Sequence, residues 1–583
     1  MRFPERPVAD MARGALFFLT ARMNWKLTAD LLVIGAYFVA ILGIGVYFSR
    51  KSGDVSEFTL GGRSIPWWAV LASILASEIS AGTFFGTPGE GFHLRNFTYA
   101  QLLVGYIFAR FVVSGVFIPA FYRHNVVSIY EFLETRFGPR TRRVASAVFL
   151  LTRALASGSR LWVPTVLIVI MWNLANPGQR LGAWDQFWLS GAALVVVSLL
   201  TAMYTAIGGI KAVIWTDVIQ IGVLFGALGF SLWYLLGHIP GGWEGAKAFL
   251  TQPGDLQFLR VNGDSVEKAM AVAKEAGAAV PEFTFWERCR SVLESEYTIW
   301  AALFGSMFTT MATHGTDQDM VQRMLTAKNK RESARATILS GLADFPVVFA
   351  VLAIGILLSV YYQNVVTDPL LPRNAKGEPE SSQIFPHFVL TVMPGGLRGL
   401  VVAGVLATTM GSLGTALNSL ATSYCRDFHF RWFGTSEDEG ARVTVIRKAT
   451  VAFALVLIGI GLGTAYVKAH NPGLRIIPII LGSFGYTYGS LLGIFMVGLF
   501  TKTRGNERGN IMAMAAGFVV VAVLSDLHTG LVRLVWAGCP DLRPAWLPVV
   551  EFPWRILFGT VVTFGVAVCF RTPEEQMRRM AAV

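Results

Sequence analysis

Seven charged side chains fall inside stretches that are otherwise apolar: Glu78, Arg110, Arg153, Arg160, Asp217, Asp317 and Asp344. An ionised group at membrane depth is costly, so each is a candidate for an ion path, a substrate contact or an internal pair. Arg153 and Arg160 are seven apart and share one face of a helix. Two readings of the arginines stand. Either they face carboxylates across a helix bundle, where a pair can do no more than order the helices, or one of them meets an anionic group on a solute. Arg110 is the one expected to be structural. A second pattern is uncharged. In "GVLATTMGSLGTALNSLATSYCRDF" the residues Thr408, Ser412, Thr415 and Ser419 step by four, three and four, which makes one hydroxyl stripe. Hydroxyls beside unwound backbone supply the short-range oxygens that a small hard cation needs. The same hydroxyls can instead be satisfied by carbonyls one turn back in their own helix.

Groups of this kind need an element that exposes backbone inside a membrane. "SEISAGTFFGTPGEGF" (77–92) and "FTTMATHGTDQD" (308–319) both interrupt apolar runs with Gly, Pro and polar residues. Broken helix is tolerated in hydrocarbon only where protein or a water-filled cavity surrounds it. The glycines of the first stretch are expected to relieve the backbone there, or else to form a small-residue packing face. The rest of the chain supports a membrane setting. Of its 583 residues, 54% are hydrophobic and 15% charged, against about 25% charged in soluble domains. Thirteen spans are expected: 28–49, 66–93, 98–121, 143–172, 184–205, 211–238, 295–314, 334–362, 398–424, 444–468, 474–501, 510–533 and 553–571. The two broken stretches then fall in spans two and seven, matched positions of two five-span halves, which points to a transporter with inverted repeats.

The net charge of +12 fits loops that collect Lys and Arg on the cytoplasmic side. It does not indicate nucleic acid, since no basic, aromatic-interleaved domain stands apart from the spans. The loops richer in Lys and Arg put the C-terminus inside and the N-terminus outside, in a cell inner (plasma) membrane. Arg2, Arg6, Arg13, Arg22 and Lys26 oppose that placement of the N-terminus, and Met23 is a natural alternative start. The loop at 239–294 is expected to carry short helices, and 363–397 a polar hairpin or cap. "NFT" at Asn96 matches a glycosylation sequon. Cys289 and Cys539 fall in loops on the same outer side, where a disulfide and two separate thiols are both open.

"GGIKAVIWTDVIQ" (208–220), "GTDQDMVQRMLTAKNKRES" (315–333), "SIYEFLETRFGPRTRRVAS" (128–146) and the stripe at 408–419 resemble the sodium:solute symporter family over roughly 28–510. The resemblance implies an all-α membrane protein of about thirteen transmembrane helices. Its core would be a LeuT-type five-plus-five inverted repeat with flanking helices, the architecture for which the LeuT transporter is the general example. It implies a sodium ion, as co-substrate, between the carbonyls of Ala76 and Ile79, the carbonyl of Thr408 and the hydroxyl of Ser412. Many members carry two adjacent hydroxyl residues where this chain has Gly411 and Ser412. Glu78 is expected to compensate, for it occupies the place of an aspartate tied to sodium in proline-transporting members. Asp217 matches a family acid linked to a second sodium site or to coupling. The partner positions there are Gly414 and Thr415. Ser80 and Thr83 match pocket hydroxyls of sialic-acid members, and "GTPGEGF" is similar to a run in monocarboxylate, vitamin and iodide relatives. Sugar-transporting members carry an aromatic pair where this chain has Thr313 and His314.

The expectation is a sodium-coupled symporter of a small polar solute: a sugar, an organic acid or an amino-acid-like molecule. Ser80, Thr83, His314 and Arg160 are expected at the solute, Asp217 and Thr415 in coupling, and Asp317 and Arg153 in structure or gating. Proton coupling through Glu78 is the alternative, and a sensor or channel on the same fold a further one. The domains expected are a tail 1–27, an extra helix 28–49, repeats 66–238 and 295–501 separated by the outer loop 239–294, and two C-terminal helices with a tail over 510–583. Lipid is the surrounding partner, and no protein partner is indicated. A membrane enzyme is disfavoured, because eight scattered histidines form no H-E-x-x-H run.

Overall fold

A computed structural model describes residues 25–49, 54–175, 181–374, 377–434, 436–470, 476–529, 532, 536, 539–540, 542, 544 and 546–581. The expectation of a start at Met23 lies outside these. The described residues are helical, with isolated β-bridges and no strand. In chain order the helices used below are α1 (Trp25–Ser49), α2 (Trp67–Glu78), α3 (Ala81–Leu94), α4 (Leu102–Val112), α5 (Tyr130–Phe137), α6 (Pro139–Arg160), α7 (Ala183–Gly237) and α8 (Met307–Thr316). They continue with α9 (Gln318–Met324), α10 (Lys330–Val360), α11 (Ser381–Thr391), α12 (Leu397–Tyr424), α13 (Glu439–His470), α14 (Ile476–Phe500), α15 (Glu507–Leu524) and α16 (Phe552–Val568).

Every expected span overlaps a helix, but length and apolar character alone do not return thirteen. Among the described residues they give eight helices, and α2 with α3 makes a ninth span bent by 64°. Of the four not returned, three are the expected spans at 295–314, 474–501 and 553–571, and the fourth is lost in α7, one helix of 55 residues where two spans are expected. At 1.5 Å per residue it runs about 80 Å, far beyond the roughly 30 Å of a hydrocarbon core. It turns at Gly209, where φ is 61° and ψ is −158°. A Cβ at Gly209 would stand 2.6 Å from the carbonyl oxygen of Phe58. Only glycine meets both demands.

Both breaks are present. α2 stops at Glu78, and Ser80 caps α3 by accepting from the Thr83 backbone N–H at 3.4 Å. Across this gap no described backbone hydrogen bond reaches the carbonyls of Ala76, Ser77 or Ile79. The second break is one residue long. Asp317 is extended (φ −99°, ψ 119°), and its carboxylate caps α9 by accepting from the Asp319 N–H at 2.8 Å. The glycines of the first stretch lie within α3, and two of them, Gly89 and Gly91, let other segments close in, as the small-residue packing reading expects. A Cβ on Gly91 would stand 2.4 Å from the carbonyl of Leu352 in α10, and one on Gly89 2.9 Å from that of Ser381 in α11.

The loop at 239–294 carries helices Gly242–Lys247, Asp264–Glu275 and Phe285–Leu293. The 363–397 segment holds an antiparallel bridge, Arg373 to Pro379, and then α11. α11 lays Phe385 against Phe84 at 5.5 Å and Phe85 at 6.5 Å between ring centroids. Asn96 is buried, and its side-chain oxygen accepts from the N–H and hydroxyl of Thr98 at 3.1 and 2.8 Å. The sequon is a closed local turn, not an exposed acceptor. Cys289 and Cys539 are not joined to each other. The Cys539 thiol donates to the Pro540 carbonyl at 3.3 Å.

Candidate functional site

The first break and α12 line one narrow cleft, with a cavity volume of about 10 Å³, room for about one water. Ser80, Arg153, Ser157, Arg160, Thr409 and Ser412 contribute its polar groups. The stripe on α12 takes the second reading made of it: its hydroxyls bond carbonyls of their own helix. Ser412 donates to the carbonyls of Thr408 and Thr409 at 3.0 and 3.1 Å, and Thr408 to that of Val405 at 2.8 Å. Thr415 donates to Gly411 and Ser412, and Ser419 to Ala416. A hydroxyl whose proton turns back into its own helix presents only lone pairs outward. Ser412 and the Thr408 carbonyl therefore act as one oxygen pair on the side of α12 that faces the break.

The position of Gly411 explains why a second hydroxyl is missing there. A Cβ at Gly411 would stand 2.5 Å from the side-chain oxygen of Gln220 and 3.2 Å from Oδ1 of Asp217. These α7 oxygens occupy that space. The Asp217 carboxylate accepts from Ser73 of α2 at 2.5 Å through Oδ2. Its Oδ1 and the Gln220 oxygen are buried and receive no donor among the described residues. Two buried acceptors without donors suit a cation. Gln220 was not singled out from sequence, although its i,i+3 spacing from Asp217 places both on one face.

Glu78 does not take the compensating place expected of it. It lies in a charged cluster with Arg110, Asp344 and His314. The Arg110 Nη2 group bonds the Glu78 carboxylate and also Asp344 at 2.8 Å, and His314 Nε2 lies 2.9 Å from Glu78. Arg110 is fully buried. A buried guanidinium is stable only when paired, and that demand draws the Glu78 side chain away from the cleft. His314 follows it: the residue is buried in this cluster and does not line the cleft.

The two arginines of α6 differ. Arg153 is committed, bonding Asp317 at 3.0 Å and also Asp319, while Tyr488 donates to Asp317 at 2.5 Å. This joins α6, the second break and α14. Arg160 lies over the Phe484 ring, 4.8 Å from its centroid, and has no ion pair among the described residues. It is the uncommitted cation at the cleft, beside Ser80 and Ser412. Ser80 and Thr83 lie with their hydroxyl oxygens 3.4 Å apart. Among the described residues no group of three or more His, Cys, Asp or Glu could hold a metal. A small cation here would rest on carbonyls, hydroxyls and the α7 acceptors.

Two helices broken at membrane depth, with ion-pair and hydroxyl surfaces around them, define a secondary transporter of the LeuT-type, inverted-repeat class. The chain matches the sodium:solute symporter family over residues 58–517 and belongs to it. That is a family of transporters that couple small solutes to sodium. The chain is 27% identical to the sodium/sialic acid symporter NanT of Aliivibrio fischeri over 502 residues, 85% of this chain and 87% of that one. It is 27% identical to mouse sodium/glucose cotransporter 4 over 571 residues, 95% of this chain and 77% of that one. The sodium-coupled monocarboxylate transporter 2 of Danio rerio is 25% identical over 533 residues, 89% and 76% of the two chains. Among solved structures, a substrate-bound, outward-open Na+-coupled sialic acid symporter superposes with a TM-score of 0.68 at 22% identity, covering 93% of this chain and 96% of that one. That likeness shows the fold.

Proposed function

We propose that this chain moves a small polar solute bearing an anionic group, together with sodium, by alternating access. The observation that carries the reading is Arg160, a guanidinium at the cleft with no carboxylate partner among the described residues, beside the hydroxyls of Ser80 and Ser412. A planar guanidinium grips a carboxylate through two parallel hydrogen bonds, so an organic acid or acidic sugar satisfies it better than a neutral hexose. Ser80 and Thr83 at the α3 cap serve the solute hydroxyls. Sodium lies between the carbonyls of Ala76 and Ile79, left without backbone partners by the break, and the Thr408–Ser412 oxygen pair. Asp217, with Thr415 nearby on α12, links α7 to ion occupancy. Sodium bound across the break and α12 joins two elements that must move, so ion and solute stabilise the same state. The repeats span 66–238 and 295–501, and the chain sits in the cell membrane with its C-terminus inside.

The test is thermal unfolding of the purified chain with a panel of sialic acid, short monocarboxylates, glucose and myo-inositol, each in NaCl and in choline chloride. A ligand at a hundred times its Kd stabilises by about 2.7 kcal/mol. Stabilisation by an acid only in NaCl is expected. Stabilisation by a neutral sugar alone would refute the anionic reading. Proton-linked symport is a second reading, favoured by the contact of Glu78 at the break with His314. It requires uptake that follows a pH gradient with sodium absent.

A further inference from the structure

Beyond the cleft, α12 carries a second polar face. Gly411, Thr415, Asn418 and Thr422 step by four, three and four, some 80° round from Ser412 and Ser419. They cover about 16 Å of helix, and the Lys and Arg distribution places the Thr422 end at the cytoplasm. All four are buried. A buried face of this length normally carries apolar side chains. Here several polar atoms along it have no hydrogen-bond partner among the described residues: both side-chain atoms of Asn418, the Gln322 side-chain oxygen, Thr205 Oγ1, Asp217 Oδ1 and the Gln220 oxygen. Their positions follow the helix. Asp217 and Gln220 adjoin Gly411, and Thr205 adjoins Gly414, where a Cβ would stand 3.1 Å from its hydroxyl. At the far end the Gln322 amide donates to Thr422 at 3.2 Å and to the Thr59 carbonyl at 2.6 Å.

We propose that this face is the hydrated path by which the transported cation leaves for the cytoplasm, with Asn418 and Gln322 as its oxygen-bearing step. Buried polar atoms without partners are costly, and water or a cation is what satisfies them. The path starts at acceptors and continues through neutral oxygens, which hold a monovalent cation weakly enough to release it. Arg323 of α9, close to Asp217, would repel a cation, but it is turned onto Asp319 at 3.3 Å and the Ser73 carbonyl at 3.0 Å. Lys211 at the cytoplasmic end is paired with Glu57. The contact of Gln322 with Thr59 closes the path in this state, and opening breaks it. The proposal rests on the sodium-coupled reading.

The experiment needs no solute. Asn418→Cys, Gln322→Cys and Thr205→Cys are made in the full chain with its native cysteines changed to alanine. Leu417→Cys, on the opposite face of α12 and equally buried, is the control. Inside-out membrane vesicles are exposed to silver ion, a thiol-reactive monovalent cation of nearly sodium's size, in sodium nitrate or choline nitrate. Thiols left over are counted after denaturation. In choline the path cysteines are expected to react at least tenfold faster than Leu417→Cys. Equal rates would overturn the proposal, and if Asn418→Cys does not elute as wild type, the other two carry the comparison. Sodium nitrate is expected to slow the reaction several-fold by favouring the closed state. Reaction that is fast and indifferent to sodium would leave the path standing and count against sodium coupling.

Discussion

At the scale of single residues, each charged group in the membrane is decided by its partner. Arg110 is buried against two carboxylates, Glu78 and Asp344. Arg110→Leu leaves both without a cation and is expected to cost about 3–5 kcal/mol, read as a fall in thermal unfolding midpoint. Asp344→Asn keeps a hydrogen-bonding side chain beside Arg110, and Glu78 still balances its charge, so a loss under about 1.5 kcal/mol is expected. Equal losses would show that Arg110 is not what holds the cluster together. Ser412→Ala removes one neutral oxygen from the expected sodium site. A net contribution near 1 kcal/mol predicts a roughly fivefold weaker apparent sodium affinity, measured as the NaCl dependence of the unfolding midpoint; an unchanged dependence would remove Ser412 from the ion site. The sequence made the chemical types at these positions legible, and with them the hydroxyl stripe. Partner choice was not legible. Glu78 read as an ion ligand and Arg110 as a structural cation, yet they bind each other across 32 positions of chain. Nor did the sequence show that Gln220 fills the space beside Gly411, because that depends on how α7 crosses α12.

At the scale of elements, polar interruptions announced both breaks, while the loop expected between spans five and six became a turn on one glycine. The attachment of the extra helix α1 was invisible. Asp30 of α1 accepts from the N–H groups of Gly396 and Gly399 at 2.7 and 2.8 Å and from Arg398 Nε at 2.7 Å. It is a helix cap supplied by another element, satisfying the first amides of α12 where Gly396 has φ 86°. No local pattern reveals it, since the partners lie 366 or more residues apart. α12 carries the stripe, so this cap fixes the first turn of the helix that carries the proposed ion ligands. Asp30→Ala is expected to cost about 1–2 kcal/mol and to lower the unfolding midpoint, whereas Asp30→Asn, which keeps an acceptor, loses less. If the two variants are equally stable, the capping hydrogen bonds are not what Asp30 contributes.

At the scale of the whole molecule, one ion cluster ties two distant parts of the chain together through charge. Arg142 of α6 bonds Glu134 of α5 at 2.6 Å, Glu131 at 3.4 Å and Asp427 at 2.6 Å, the last in the π-helical turn Cys425–His429 that continues α12. Ser128 and Ser146 also donate to Asp427, at 2.8 and 2.6 Å. Three carboxylates on one guanidinium make the junction sensitive to pH. Partial burial works to raise the Glu134 carboxyl, but hydrogen bonds from Arg142 and Arg431 outweigh it and hold the group below the usual carboxylate range. A carboxyl lowered on folding contributes stability that is fully present above its unfolded value, about 4.3 for Glu. That stability is lost as pH falls through the lower, folded value. In Arg142→Met the sign reverses. Glu131, Glu134 and Asp427 lose their shared cation and repel one another while ionised, so acid relieves the variant as it weakens the wild type. The unfolding midpoint of Arg142→Met is therefore expected well below wild type at pH 7.5, with the gap closing as pH falls to 4. Thermal unfolding of both proteins in lipid nanodiscs at pH 7.5, 6, 5 and 4 measures it. A gap that stays constant across that range would mean that packing of the arginine stem, and not its charge, joins α5 and α6 to the end of α12.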